Sequence, residues 1–112
     1  MTSYKLLIAD PSYSSWSLRG WLCFAAINLP VSVRVTRLYE QQFTADLTAF
    51  SPRARTVPIA TASDGAEMTD SLTIAEELAQ RHPEAGLLPA APQERALARS
   101  LMAEMHSGFH TL

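Results

Sequence analysis

The chain is poor in the features that mark several large protein classes. It has a single cysteine, Cys23, among 112 residues, so no internal disulfide framework can form. Its formal net charge is -2 and no stretch clusters Lys and Arg, which argues against a nucleic-acid partner. No apolar run approaches the roughly 20 residues that cross a bilayer, so no membrane partner is expected. The N-terminus, Met1 to Asp10, has no signal-peptide pattern and goes straight into an apolar stretch. With one thiol and no leader, a cytoplasmic location is expected. There is no Gly-rich phosphate loop, no Ser-His-Asp order, and no internal repeat. His106 and His110 are four apart near the end, but no Cys or carboxylate set converges with them, so no metal site is expected. A hydrophobic fraction of 47% with 18% charge fits one globular domain with a small core.

What the chain does have is order. Tyr4 to Ala9 is an apolar run of strand length, ended by Asp10-Pro11-Ser12. A helical stretch follows, with serines at its front to cap it and Asn28 and Pro30 to stop it. Its residues Trp21 to Ile27 are all apolar, so it needs cover on more than one side. Val31 to Leu38 alternates apolar with polar residues and reads as a strand. Gln41 to Phe50 reads as a weaker helix, with Phe43, Leu47 and Phe50 on one face.

Thr56 to Leu78 organises the rest. Val57 to Ala60 is β-competent, Ser63-Asp64-Gly65 is turn chemistry, and Glu67-Met68 suffices for a short return strand. Thr69, Asp70 and Ser71 stand where N-cap oxygens belong, before a helix running to about Arg81. Pro58 sits near the start of a strand, a place where a cis bond is a deliberate feature. The helix after Thr69 aims N–H groups and a partial positive charge beyond its start, which suits a carboxylate. Residues 83–92, with three prolines and a glycine, read as a linker without regular structure. Gln93 to about His106 returns to helix, with Leu97, Leu101 and Met105 on one seam. The order is β-α-β-α-β-β-α, then a linker and one helix. A parallel strand–helix–strand unit plus a hairpin gives an α/β domain with a mixed four-stranded sheet, the thioredoxin-like layout.

Val57-Pro58 followed by Asp70-Ser71-Leu72-Thr73-Ile74 resembles the glutathione-binding signature of glutathione S-transferases, in which a cis Val-Pro precedes an acid-Ser-x-x-Ile at the next helix start. Ser14-Ser15-Trp16-Ser17-Leu18-Arg19 resembles the serine-type, zeta- and theta-like and bacterial members. The resemblance implies residues 1–82 as a glutathione-binding domain, 83–92 as linker, and 93–112 as the truncated start of an all-helical second domain. It implies Ser14 or Ser15 as the hydroxyl that hydrogen-bonds the glutathione thiolate and lowers its pKa. Both serines serve equally well as helix caps. It implies Ser71 for the α-carboxylate of the γ-glutamyl end and Asp70 for the α-amino group, although Asp is one methylene shorter than the usual Glu or Gln. Val57 would pair its backbone with the cysteinyl unit, turned toward it by Pro58. Arg53 or Arg55 would meet the glycyl carboxylate, unless both are solvated loop arginines.

Glutathione is then a cosubstrate with no further cofactor, and an electrophilic small molecule is the second substrate. A homodimer is a candidate assembly. Activity of so short a chain is doubtful, and the alternative reading is a non-catalytic, transferase-like protein-interaction module. A dithiol or dehydroascorbate-type reductase needs a cysteine where Ser14 and Ser15 stand. Cys23 reads as a buried structural thiol, and Trp16 and Trp21 as packing residues.

Overall fold

The computed structural model describes residues 2–9, 15–37 and 42–108. Its elements are β1 (Tyr4–Ala9), α1 (Ser15–Ala26), β2 (Ser32–Thr36), α2 (Gln42–Phe50), β3 (Ile59–Ala62), β4 (Glu67–Met68), α3 (Ser71–Arg81), a 3-10 turn (Pro83–Ala85) and α4 (Pro92–Gly108). The expected termination of β1 at Asp10-Pro11-Ser12, the Leu38 end of β2 and the Gln41 start of α2 lie outside the described residues.

The sheet order is β2-β1-β3-β4. β1 and β2 run parallel, from Lys5↔Ser32 to Ala9↔Thr36, joined by the α1 crossover. β3 is antiparallel to β1 and β4 antiparallel to β3, which makes the sheet mixed as expected. β1 is central and buried on both faces, which is why it reads as a near-continuous apolar run.

The strand alternation separates two cores. Tyr4, Leu6 and Ile8 face α1 and α3 and pack with Phe24, Met68, Ile74 and Leu78. Leu7 and Ala9 face the other way, toward Leu47 of α2 and toward Ala54, Val57 and Ile59. The chain entering β3 therefore takes part in the α2-side core, and this anchors the Val57-Pro58 corner.

Helix ends follow local chemistry. Asn28 takes φ 53 just after α1, the left-handed conformation that Asn tolerates at helix ends. There Leu29 N–H donates to Phe24 O at 3.0 Å. At the far end of α3, Arg81 donates to Glu77 at 2.8 Å and to Asp64 at 2.8 Å, tying the β3–β4 turn to the helix. That guanidinium holds the Asp64 carboxyl below the usual range.

Two expectations need correction. β3 starts at Ile59 rather than Val57, because Pro58 has no N–H to give a ladder. Residues 83–92 are not wholly irregular: Pro83–Ala85 forms a 3-10 turn closed by left-handed Gly86, and α4 begins at Pro92 because proline suits a first helical turn. β2 is a strand, as the alternation implies, and it lies at the sheet edge. Val33 and Val35 stay 42% and 56% exposed on the sheet edge, while Thr36 is buried and donates to Asp46 of α2 at 2.6 Å.

Candidate functional site

Three segments meet at one end of the sheet: the front of α1, the corner before β3, and the start of α3. The corner is held from below. Ser51, buried, donates its hydroxyl to Glu67 Oε1 at 2.7 Å and accepts the Arg53 N–H at 3.2 Å. Arg53 lies 3.7 Å from the second Glu67 oxygen with its side chain exposed. The Val57-Pro58 peptide bond is cis, and both residues are buried. Gly20 of α1 faces Pro58 so closely that an added Cβ would stand 2.7 Å from Pro58 Cβ. Glycine at that position is what allows α1 to lie against the proline. One turn earlier in α1, Ser17 accepts the Ala9 N–H at 2.9 Å and fixes the front of α1 to the end of β1.

Asp70 caps α3: its Oδ1 accepts the Thr73 N–H at 2.7 Å. Ser71 is the first residue of that helix and is buried. Around this helix start lies a cavity of about 330 Å³, lined by Thr56, Val57, Pro58, Asp70 and Ser71 together with Trp16 of α1 and His106 of α4. Four sequence-predicted residues, Val57, Pro58, Asp70 and Ser71, thus share one cavity. Its chemistry is that of a zwitterion site: N–H groups at a helix N-terminus for an anion, and a carboxylate beside them for a cation.

Other predicted residues fall differently. Arg55 lies in the neighbouring recess with Arg53, Thr56 and Thr69, and its guanidinium donates to the carbonyls of Pro52 and Ala54 at 3.4 Å each. Ser14 lies outside the described residues, as does His110. Ser15 is the first residue of α1, and its side chain is not among those described.

Two residues read from sequence as ordinary line the cavity. Trp16, expected as packing, presents its ring to the cavity, with the Arg19 guanidinium 4.2 Å from its centroid. His106, given no site role from the sequence, stands edge-on to Trp16 at 5.3 Å between centroids, with Nε2 3.8 Å from Asp70 Oδ2. Neither carried a usable sequence signal, since their convergence depends on how α4 crosses α1 and α3.

A second cavity of about 290 Å³ lies between α1, α3 and α4, and shares Ser71 and His106 with the first. It is apolar, with Leu22, Leu72, Met102 and Met105 in its walls. Cys23 also borders it; burial pushes its thiol up to about 11, as a structural thiol requires. Arg19 Nη1 is buried at the same junction with no hydrogen-bond partner. Among the described residues, no group of three His, Cys, Asp or Glu could hold a metal ion, and no helix is long and apolar enough to cross a membrane.

Comparison with known proteins agrees with this geometry. Residues 13–81 match the model of the glutathione S-transferase N-terminal domain, more than half of the chain. The chain is 33% identical over its whole length to a probable maleylacetoacetate isomerase of Caenorhabditis elegans, and spans 51% of that protein. It superposes at TM-score 0.72 and 32% identity on a maleylacetoacetate isomerase from Anaeromyxobacter dehalogenans with bound glutathione, covering 96% of this chain and 50% of that one. A glutathione transferase homologue from a Burkholderia, also with bound glutathione, matches at TM-score 0.75 and 26% identity, covering 96% and 55%. The chain therefore spans about half the length of these relatives. With a thioredoxin-like sheet, a cis Val57-Pro58 corner and an Asp70-capped α3 in place, the chain belongs to the glutathione S-transferase family through its N-terminal domain.

Proposed function

We propose that the chain binds glutathione in the cavity at the start of α3 and works as the N-terminal half of a glutathione transferase. The observation that carries this is the gathering of Val57, Pro58, Asp70 and Ser71 around one cavity at a helix N-terminus. Ser71 and the N–H groups of the first turn of α3 hold the γ-glutamyl carboxylate, and Asp70 Oδ2 takes the ammonium group. The Val57 backbone meets the cysteinyl unit. Arg55, with Arg53, supplies positive charge for the glycyl carboxylate. Ser14 or Ser15, at the front of α1, hydrogen-bonds the thiolate and favours it over the thiol. The thiolate then attacks an electrophile held in the adjoining apolar cavity. This reading is supported by the glutathione bound in two of the solved relatives.

The same proposal divides the chain into a glutathione-binding domain at 1–82, a linker at 83–92, and the start of a helical domain at 93–112. It places the protein in the cytoplasm, where glutathione is abundant, and allows a homodimer. Titration of the chain with reduced glutathione, beside Ser71→Ala, tests it. Saturable binding that Ser71→Ala weakens about tenfold, the scale of one lost charge-assisted hydrogen bond, is expected.

A second reading is favoured by one observation. Leu18, Trp21, Leu22, Leu97 and Leu101 are 38–60% exposed, more apolar surface than single scattered residues. A folded chain that does not bind glutathione but self-associates through these residues would be a protein-interaction module.

A further inference from the structure

Asp70 uses its two carboxylate oxygens for different purposes. Oδ1 caps α3 through Thr73 N–H. Oδ2 lies 3.8 Å from His106 Nε2, and both residues line the cavity. His106 comes from α4, beyond the segment that the family model matches. Its ring stands edge-on against Trp16 and faces Asp70, and it borders both the polar and the apolar cavity.

We infer that His106 is a further residue of the ligand site: it stands on the approach to Asp70 Oδ2 that a ligand's ammonium group needs, so a protonated imidazole and that ammonium compete for one carboxylate oxygen. The inference rests on the glutathione reading above. With a neutral ring, Asp70 is the negative partner for the ammonium. With a charged ring, Asp70 already has a cation beside it, and a second cation enters against repulsion. By linkage the competition is reciprocal: protons weaken glutathione, and glutathione disfavours protonation of His106. Among the described residues, the charged and titratable groups bordering the ring include Asp70 from α3 and, from α1, Arg19 and Cys23, which border the apolar cavity with it. Arg19 stays cationic at every pH of interest, so it offsets the site but does not switch it. Cys23, buried and pushed up to about 11, stays neutral there. Elsewhere on α4, Arg99 pairs with Glu76 of α3 at 3.1 Å. Histidine is the side chain that ordinarily changes charge between pH 5 and 8.

The test is a set of glutathione titrations at pH 5.5 and 7.5 on the full chain, with a des-amino glutathione analogue as second ligand. For the unaltered protein, glutathione is expected to bind at least about fivefold more weakly at pH 5.5, within the usual range of site–site coupling. In His106→Gln the ratio between the two pH values should fall below about twofold. The des-amino analogue, measured on the unaltered protein, should hold or gain affinity at pH 5.5, because it brings no ammonium to Asp70; this arm needs no variant to fold. Equal pH ratios in the unaltered protein and His106→Gln, or an analogue that weakens as glutathione does, would overturn the role of His106 while leaving glutathione binding intact. If glutathione fails to bind at pH 7.5, the functional reading itself falls and this inference with it.

Discussion

The start of α3 and the whole of α4 are both helix, yet they are held in opposite ways. α3 buries Ser71, Ile74, Ala75 and Leu78 against the sheet and α1, and its first turn is capped by Asp70. α4 is longer, Pro92–Gly108, but leaves Leu97, Leu101 and Met105 at 60%, 56% and 38% exposure. Polar ties join it to α3, from Arg99 to Glu76 and from His106 to Asp70. Exposed ion pairs contribute little, typically below about 1 kcal/mol. The apolar burial that fixes a helix is thus present in α3 and largely missing from α4. The candidate site sits on the strongly held helix, and the weakly held one reaches it through His106.

That contrast can be broken by matched truncations. Leu78→Ala should cost about 2–5 kcal/mol in chemical denaturation, since Leu78 is fully buried. Leu101→Ala, on the exposed seam of α4, should stay within about 0.5 kcal/mol. Comparable losses for the two would mean that α4 is covered in solution by a surface of another copy or partner.

A smaller effect sharpens the comparison at the site itself. In Gly20→Ala the new Cβ meets Pro58 Cβ at 2.7 Å and Cγ at 2.9 Å. Overpacking against a rigid ring costs about 1–3 kcal/mol, and the helix propensity of alanine returns at most about 1 kcal/mol of it. Net destabilisation with weakened glutathione binding is expected, read from melting curves and titrations. A stabilised variant with intact binding would show that α1 does not press on the Pro58 corner.

The smallest effect concerns acid. Asp64 is held below the ordinary carboxylate range first by its hydrogen bond to Arg81, and Asp46 first by its hydrogen bond from Thr36. A carboxylate with a depressed folded-state pKa adds stability above its unfolded pKa and loses it as pH falls through the folded one. Stability should therefore decline below about pH 4, and Asp64→Asn should make the decline shallower. An unchanged slope would assign the acid sensitivity elsewhere.

Much of the fold was legible because local rules and tertiary packing agree. β1, α3 and the hairpin's turn and return strand fall where apolar periodicity and turn residues put them, and the Val57-Pro58 and Asp70-Ser71 pieces are local enough to read by eye. The exposure of Val33 and Val35 was not legible, because alternation gives a face but not whether a helix covers it at the sheet edge. The 3-10 turn at Pro83 was hidden by the rule that prolines disfavour helices, which does not bind at a first turn. His106 and Trp16 were the hardest. Their meeting at Asp70 is a product of how three helices cross, and sequence spacing carries no record of that.

The account turns on one site at the start of α3. Its most direct test is backbone and indole amide NMR of the chain, followed as reduced glutathione is added. The account predicts saturable shifts concentrated at Val57, Asp70, Ser71 and the Trp16 indole, with Val33, Val35 and Leu97 unmoved. Shifts that saturate instead along the exposed seam of α4, or an unchanged spectrum from a folded chain, would contradict it.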